Sequence, residues 1–169
     1  MKRIAVLGSG GAGKSVFARK LGAATGLPVV YLDPLVWKPQ WQLAPVEEVR
    51  DVIRAAASGD AWVIEGNFLG SEPTGRFERA DTVVFLDLPR RSCLRRIVWR
   101  RLRDARRSRV DLPAGCNEAL DHHFVRWVWR FPVDSRPGVL ELLRRLPPRV
   151  AVHQLRSARE VRQFLRALG

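Results

Sequence analysis

The sequence predicts an α/β fold of three layers: a five-stranded parallel sheet between two layers of helices. Three observations point to it. Five short β-prone runs, at 3–7, 29–32, 61–64, 82–86 and 149–154, alternate with segments of helical period. The run Thr82-Val83-Val84-Phe85-Leu86 is apolar almost throughout, as a strand covered on both faces must be. Between the first run and the first helical segment stands Gly8-Ser9-Gly10-Gly11-Ala12-Gly13-Lys14-Ser15, which fills every fixed position of the pattern GxxxxGK[ST].

That loop has a chemistry. A polyphosphate wrapped at a helix N-terminus needs backbone N–H groups close to it, where the amides are unpaired and the helix dipole is positive. Side chains would block the approach, so Gly8, Gly10, Gly11 and Gly13 leave room and permit positive φ. The amides from Gly8 through Ala12 to Val16 then form the cradle, Lys14 reaches the β- and γ-phosphates, and the Ser15 hydroxyl ligates Mg²⁺. ATP and Mg²⁺ are the expected cofactors.

The first helix runs from about Val16 to Thr25-Gly26-Leu27-Pro28, and Val29-Val30-Tyr31-Leu32 follows as a second strand. Asp33 comes directly after it. Ligands of such sheets bind beyond the carboxyl ends of the strands, so Asp33 is either a base for a substrate hydroxyl or the N-cap of a helix. Residues 34–43 lack a period and read as an irregular flap, whose Trp37 and Trp41 cover a small satellite core or touch an acceptor. Pro45 opens a helix with Val46, Val49, Val52, Ile53 and Ala56 as its apolar stripe. The third strand ends in Glu65-Gly66-Asn67; Glu65 either holds waters of the Mg²⁺ shell or is a solvated acid.

A fourth strand, 82–86, leads into a helix from Arg90 to about Arg103 with Leu94, Ile97, Val98 and Leu102 on one stripe. Residues 90–109 hold ten arginines against the single acid Asp104, and most of them are expected on a solvated face. Arg96 and Arg100, four apart, can meet one polyanion. Residues 104–117 read as a mobile cover or a plain surface loop. A returning helix carries His122 and His123, expected on different sides and not as a metal site, and Arg126 and Arg130, spaced to close on a transferred phosphoryl. Ser135-Arg136-Pro137 is expected to cap the next helix. After the fifth strand Arg156 is placed to stack on a nucleotide base, and Ser157 with Glu160 forms a capping box.

Composition sets the outer bounds. One domain, 1–169, is expected at this length, with a single core. Hydrophobic residues at 46% and charged residues at 28% exclude a disordered chain, and no apolar run approaches a membrane span. Without a visible targeting signal the expected location is the cytoplasm. Cys93 and Cys116 read as free thiols. The net charge of +13 is almost all arginine, which suits polyanionic ligands or reflects a biased composition.

Taken together, these residues resemble the P-loop kinase superfamily over nearly the whole chain. Arg96-Ile97-Val98-Trp99-Arg100-Arg101 is similar to the arginine segment at the entrance of the adenylate kinase lid, which implies contacts of Arg96 and Arg100 with ATP and the moving phosphoryl. Glu65-Gly66 stands where adenylate kinases carry the Asp-Gly that organises Mg²⁺. Leu32-Asp33, Trp62-Val63-Ile64-Glu65-Gly66-Asn67, Arg126-Trp127-Val128-Trp129 and Ser135-Arg136-Pro137 look like the adenylate-kinase-related group labelled DNA topology modulation proteins. The resemblance implies a three-layer fold of the nucleoside and nucleotide kinase type, with an acceptor flap at about 33–60 and a short helical lid at about 104–121.

Two departures bear on the acceptor. Asn67-Phe68-Leu69 replaces the aromatic, proline and arginine that grip an acceptor's phosphate in adenylate kinases, and Asp33 is an acid those enzymes lack. The expected activity is therefore ATP-dependent transfer to a small-molecule hydroxyl, with a nucleic-acid-associated regulator and an acceptor-independent ATPase as rivals. A monomer or homodimer fits either.

Overall fold

In the computed structural model, the residues described are 1–71, 74–103 and 122–168. In chain order the elements are β1 (Arg3–Gly8), α1 (Lys14–Thr25), β2 (Val29–Tyr31), α2 (Asp33–Val36), β3 (Trp37–Lys38), β4 (Gln42–Leu43) and α3 (Val46–Ala56). Then follow β5 (Trp62–Glu65), α4 (Arg76–Arg79), β6 (Thr82–Leu86), α5 (Arg90–Arg103), α6 (His122–Asp134), α7 (Arg136–Arg145), β7 (Ala151–Leu155) and α8 (Ala158–Arg166). Five strands make one sheet in the order β2-β5-β1-β6-β7, and every pairing within it is parallel. All five expected strands are present, and the strand bearing the glycine loop lies at the centre.

Alternation along the central strands sorts two cores, one on each face of the sheet. Ala5, Leu7, Trp62, Ile64, Val83 and Phe85 face Val49 and Ile53 of α3 and Val139 of α7. Ile4, Val6, Val63, Val84 and Leu86 face Phe17, Ala18 and Leu21 of α1 with Cys93 and Ile97 of α5. One helix serves both: Val128 of α6 belongs to the second core and Phe131, one turn on, to the first. Among the described residues no helix is long and apolar enough to cross a membrane.

Local expectations fared unevenly. The capping box formed: Ser157 Oγ accepts from Glu160 N at 3.2 Å and pairs with Glu160 Oε1 at 2.8 Å. Ser135 precedes α7 without a side-chain cap bond. Val46 is exposed, so the α3 stripe narrows to Val49 and Ile53, with Val52 and Ala56 at its edges. The flap is ordered: α2 leads into a two-stranded antiparallel ribbon, Trp37 opposite Leu43 and Lys38 opposite Gln42. The expected lid, 104–121, and Cys116 within it lie outside the described residues.

At the other end of the sheet, Asp81 fastens three strands. Its Oδ2 accepts from Lys2 N at 2.7 Å and Arg3 N at 2.9 Å, and its Oδ1 from Thr82 Oγ1 at 2.8 Å. Its own carbonyl accepts from Ala151 N at 2.9 Å. Burial pushes this carboxyl up, but the three bonds outweigh it and the pKa ends below the usual value. A depressed folded pKa gives stability that is complete above the unfolded value of about 4 and lost as the pH falls through the folded one. Asp81→Asn is therefore expected to unfold at lower urea than wild type at pH 7, with the gap closing below about pH 4.

Helix α1 lies close on the sheet because Gly22 has no side chain. A Cβ there would strike Val29 Cγ2 and come within 3.0 Å of Leu27 O. Gly22→Ala is expected to cost about 1–3 kcal/mol in urea unfolding, against the helix propensity of alanine.

Candidate active site

The loop between β1 and α1 is closed in by backbone and side chains from four elements. Gly11 at φ 72° and Gly13 at φ 92° take the left-handed conformation that the turn requires. A Cβ on Gly11 would run into the carbonyl of Cys93, and one on Gly10 would lie 2.8 Å from Phe124 Cζ and 2.9 Å from Val128 Cγ2. Helices α5 and α6 thus sit directly on the loop. The first helical bond of α1 runs from Phe17 N to Gly13 O at 2.9 Å, so the amides of Lys14, Ser15 and Val16 have no partner within the helix. Three donors at a positive dipole end form an anion cradle.

Glu65 ends β5 beside this cradle with its side chain 3% exposed. Its two oxygens serve two loop residues: Oε1 lies 3.6 Å from Lys14 Nζ, and Oε2 accepts from Ser15 Oγ at 3.3 Å. Lys14 Nζ also donates to Ser9 O at 3.4 Å. A solvated acid is ruled out. The hydroxyl and carboxylate oxygens side by side are the hard donors Mg²⁺ takes, and the residues fit that ion.

Asp33 lies at the neighbouring strand end. Tyr31 pairs in register with Glu65, and Leu32 N donates to Glu65 O at 3.0 Å, so the two acids follow adjacent parallel strands. Asp33 is half-buried and is the first residue of α2, whose N-cap is Leu32; the N-cap alternative falls.

The arginines divide. Arg96 reaches the loop, Nη1 donating to Ala12 O at 2.9 Å. Arg100 lies one turn on, half-buried, and with Arg95, Arg96 and Trp99 lines an open cavity of about 520 Å³. Arg126 is exposed on α6, whereas Arg130 forks onto Asp134 at 2.7 and 2.8 Å. Arg156 is exposed beyond β7, Nη2 donating to Gln154 Oε1 at 3.1 Å. The rings of His122 and His123, expected on different sides of the helix, lie 3.9 Å apart.

Sequence reasoning passed over the parts that hold the site. The Asn67 side chain clamps Gly8 on both polar atoms: Oδ1 accepts from Gly8 N at 3.0 Å and Nδ2 donates to Gly8 O at 2.9 Å. Arg76, fully buried, fixes the turn bearing Asn67 by donating to Gly66 O at 2.9 Å and Asn67 O at 2.7 Å. Beyond β6, Asp87 accepts from Arg136 Nε and Nη2, both at 2.8 Å, and from Gln154 Nε2 at 2.6 Å. The acid just after β6 and the polar Gln154, one residue before the end of β7, were the local signs of that cluster.

The five-stranded parallel sheet with the glycine loop after its central strand is a fold shared with solved P-loop kinases. Shikimate kinase from Acinetobacter baumannii in complex with shikimate superposes over 99% of this chain and 90% of its own, at TM-score 0.61 and 17% identity. Deoxyadenosine kinase from M. mycoides with bound dCTP matches over 98% and 97% of the two chains, at TM-score 0.54 and 12% identity. An unliganded sugar kinase from Janibacter covers 99% of this chain and 90% of its own, at TM-score 0.51 and 18% identity. No family model matches the chain, and no curated sequence does.

The Asn67 clamp is the bond pair most exposed to test. Asn67→Ala leaves both polar atoms of Gly8 without their side-chain partner and is expected to cost about 1–3 kcal/mol in denaturant unfolding.

Proposed function

We propose that this protein is an ATP-dependent phosphotransferase that acts on a hydroxyl of a small molecule. One observation carries the reading: the buried Glu65 carboxylate reaches both Lys14 and Ser15 at the cradle, with Asp33 at the next strand end. The cradle amides and Lys14 bind the β- and γ-phosphates of ATP. Ser15 and Glu65 hold Mg²⁺, which when bound supplies charge compensation on the phosphates. Asp33 orients the acceptor hydroxyl and takes its proton. Arg96, Arg100 and Arg126 offset the charge of the moving phosphoryl, so that rate comes chiefly from positioning and electrostatics. Arg156 packs on the base. The chain works as one cytoplasmic domain, with residues 33–60 on the acceptor side.

The test is transfer of label from γ-labelled ATP into a fractionated pool of nucleosides, nucleotides, sugars and cell metabolites. Lys14→Ala is expected to abolish transfer while circular dichroism is retained. Asp33→Asn is expected to lower kcat about 100-fold or more at unchanged ATP affinity. Label appearing only as free phosphate with every acceptor would move the reading to an ATPase.

A second reading, regulation in association with nucleic acid as the topology-modulation label implies, draws on the open cavity where Trp99, 62% exposed, stands among Arg95, Arg96 and Arg100. Binding that is lost between 50 and 200 mM salt without sequence preference would mark that patch as a generic charge effect.

A further inference from the structure

The flap between β2 and β5 differs in kind from the rest of the molecule. Residues 33–60 carry five acids against three bases, a net charge of −2 in a chain of +13. The three bases all have acid partners: Lys38 with Glu48 at 2.9 Å, Arg50 with Glu47 at 2.7 Å, and Arg54 with Asp51 at 2.6 Å. Arg76, the nearest cation on the following segment, donates to the carbonyls of residues 66 and 67. Each base of the flap is thus already engaged by an acid, which disfavours an acceptor that needs a guanidinium fork for a phosphate or carboxylate.

What the flap offers is aromatic. Trp37 meets Trp41 edge-on, ring centroids 5.8 Å apart and planes at 73°, and meets Phe68 at 6.4 Å and 58°. The three rings form a corner. Trp37 follows Asp33 by one helical turn and Phe68 follows Glu65 by three residues, so the corner joins both acid-bearing strand ends. Trp37 and Phe68 have their backs on the core, while Trp41 is 41% exposed, with Leu35 and Leu43 exposed beside it in sequence.

Strain gathers at the same place. Among the described residues, the non-glycine residues with positive φ are Gln40 at 63°, Trp41 at 58° and Phe68 at 42°. Two of the three are corner aromatics and the third precedes Trp41. A ribbon that only covered core would relax; aromatic residues held in the left-handed region persist where a presented side chain needs the backbone there.

We infer that the Trp37–Trp41–Phe68 corner is the acceptor subsite, and that the acceptor is an uncharged alcohol presenting a flat ring face to Trp41. Nucleosides share this chemistry with hexoses. The inference rests on the phosphotransferase reading for the fate of the hydroxyl, but not for binding. In the transfer the acceptor oxygen bonds to the γ-phosphorus as the bond to the β,γ-bridging oxygen breaks, ADP leaves, and Asp33 takes the hydroxyl proton.

The experiment pairs calorimetric titration with label transfer, both with Mg²⁺ and with ADP or γ-labelled ATP. The ligands are adenosine, thymidine, glucose and their 5′- or 6-phosphates, tested on wild type, Trp41→Ala and Trp41→Phe, with melting temperatures as a folding control. An uncharged member is expected to bind and accept label, at least 10-fold better than its phosphate. Trp41→Ala is expected to raise its Kd and KM about 10-fold at unchanged ATP affinity, and Trp41→Phe to restore most of the loss. Adenosine and thymidine against glucose tell the planar base from the sugar face. Binding of an uncharged member with label transfer to no compound of the panel or the metabolite pool supports the subsite and overturns the phosphotransferase reading. A phosphorylated member as preferred ligand, a Kd indifferent to Trp41→Ala, or no uncharged member bound overturns the subsite, and label transfer to another compound then leaves the phosphotransferase standing.

Discussion

A carboxylate taken out of water must be matched by donors or it costs several kcal/mol, and the Glu65 side chain, 3% exposed, imposes that condition on everything near it. Lys14 and Ser15 meet it from the first turn of α1, which fixes how the helix enters and where its unpaired amides point. Gly66 then has to turn the chain at φ 145° under Leu32, a place where a Cβ would fall 2.9 Å from Leu32 Cβ. The turn delivers Asn67 to Gly8, and Arg76 locks it from below. Loop, acid and turn therefore form one polar unit whose members are satisfied mainly by each other.

The fold was legible because its signals are local. Strand runs, helical stripes and the Ser157–Glu160 box each lie within a dozen residues, and a loop of four glycines before Lys14-Ser15 has few other readings. What escaped were bonds between distant residues. Nothing near Asn67 announces that its amide will fit the Gly8 peptide 59 positions away, and Asp87 meets Arg136 across 49. Where local reasoning erred, a tertiary contact had changed the terms: Val46 begins the helix outside the core, and Arg130 is taken by Asp134. Of the residues expected at the site, Glu65 contacts Lys14 and Ser15 and Arg96 reaches the loop at Ala12, while Arg126 and Arg156 stand on exposed surface.

The arginine excess has a partly internal explanation. Several guanidinium groups donate to main-chain carbonyls: Arg76 forks onto those of 66 and 67, Arg79 Nη2 reaches Ser58 and Gly59, Arg96 the one of Ala12, and Arg149 the one of Glu78. Arg90 lies 3.9 Å over the ring of Trp129 and so ties α5 to α6. A high positive charge can thus accumulate through structural use, since a planar, permanently charged donor closes carbonyl pairs that lysine closes less well.

Cys93 sits where α5 touches the loop, its carbonyl against Gly11 and its thiol, pushed up by burial, on the carbonyl of Leu88 at 3.8 Å. A thiol so placed is chemically silent in the closed molecule. Its modification by a cysteine-directed reagent must wait for α5 to lift from the loop, which makes the rate of that reaction a clock for local opening at the glycine loop.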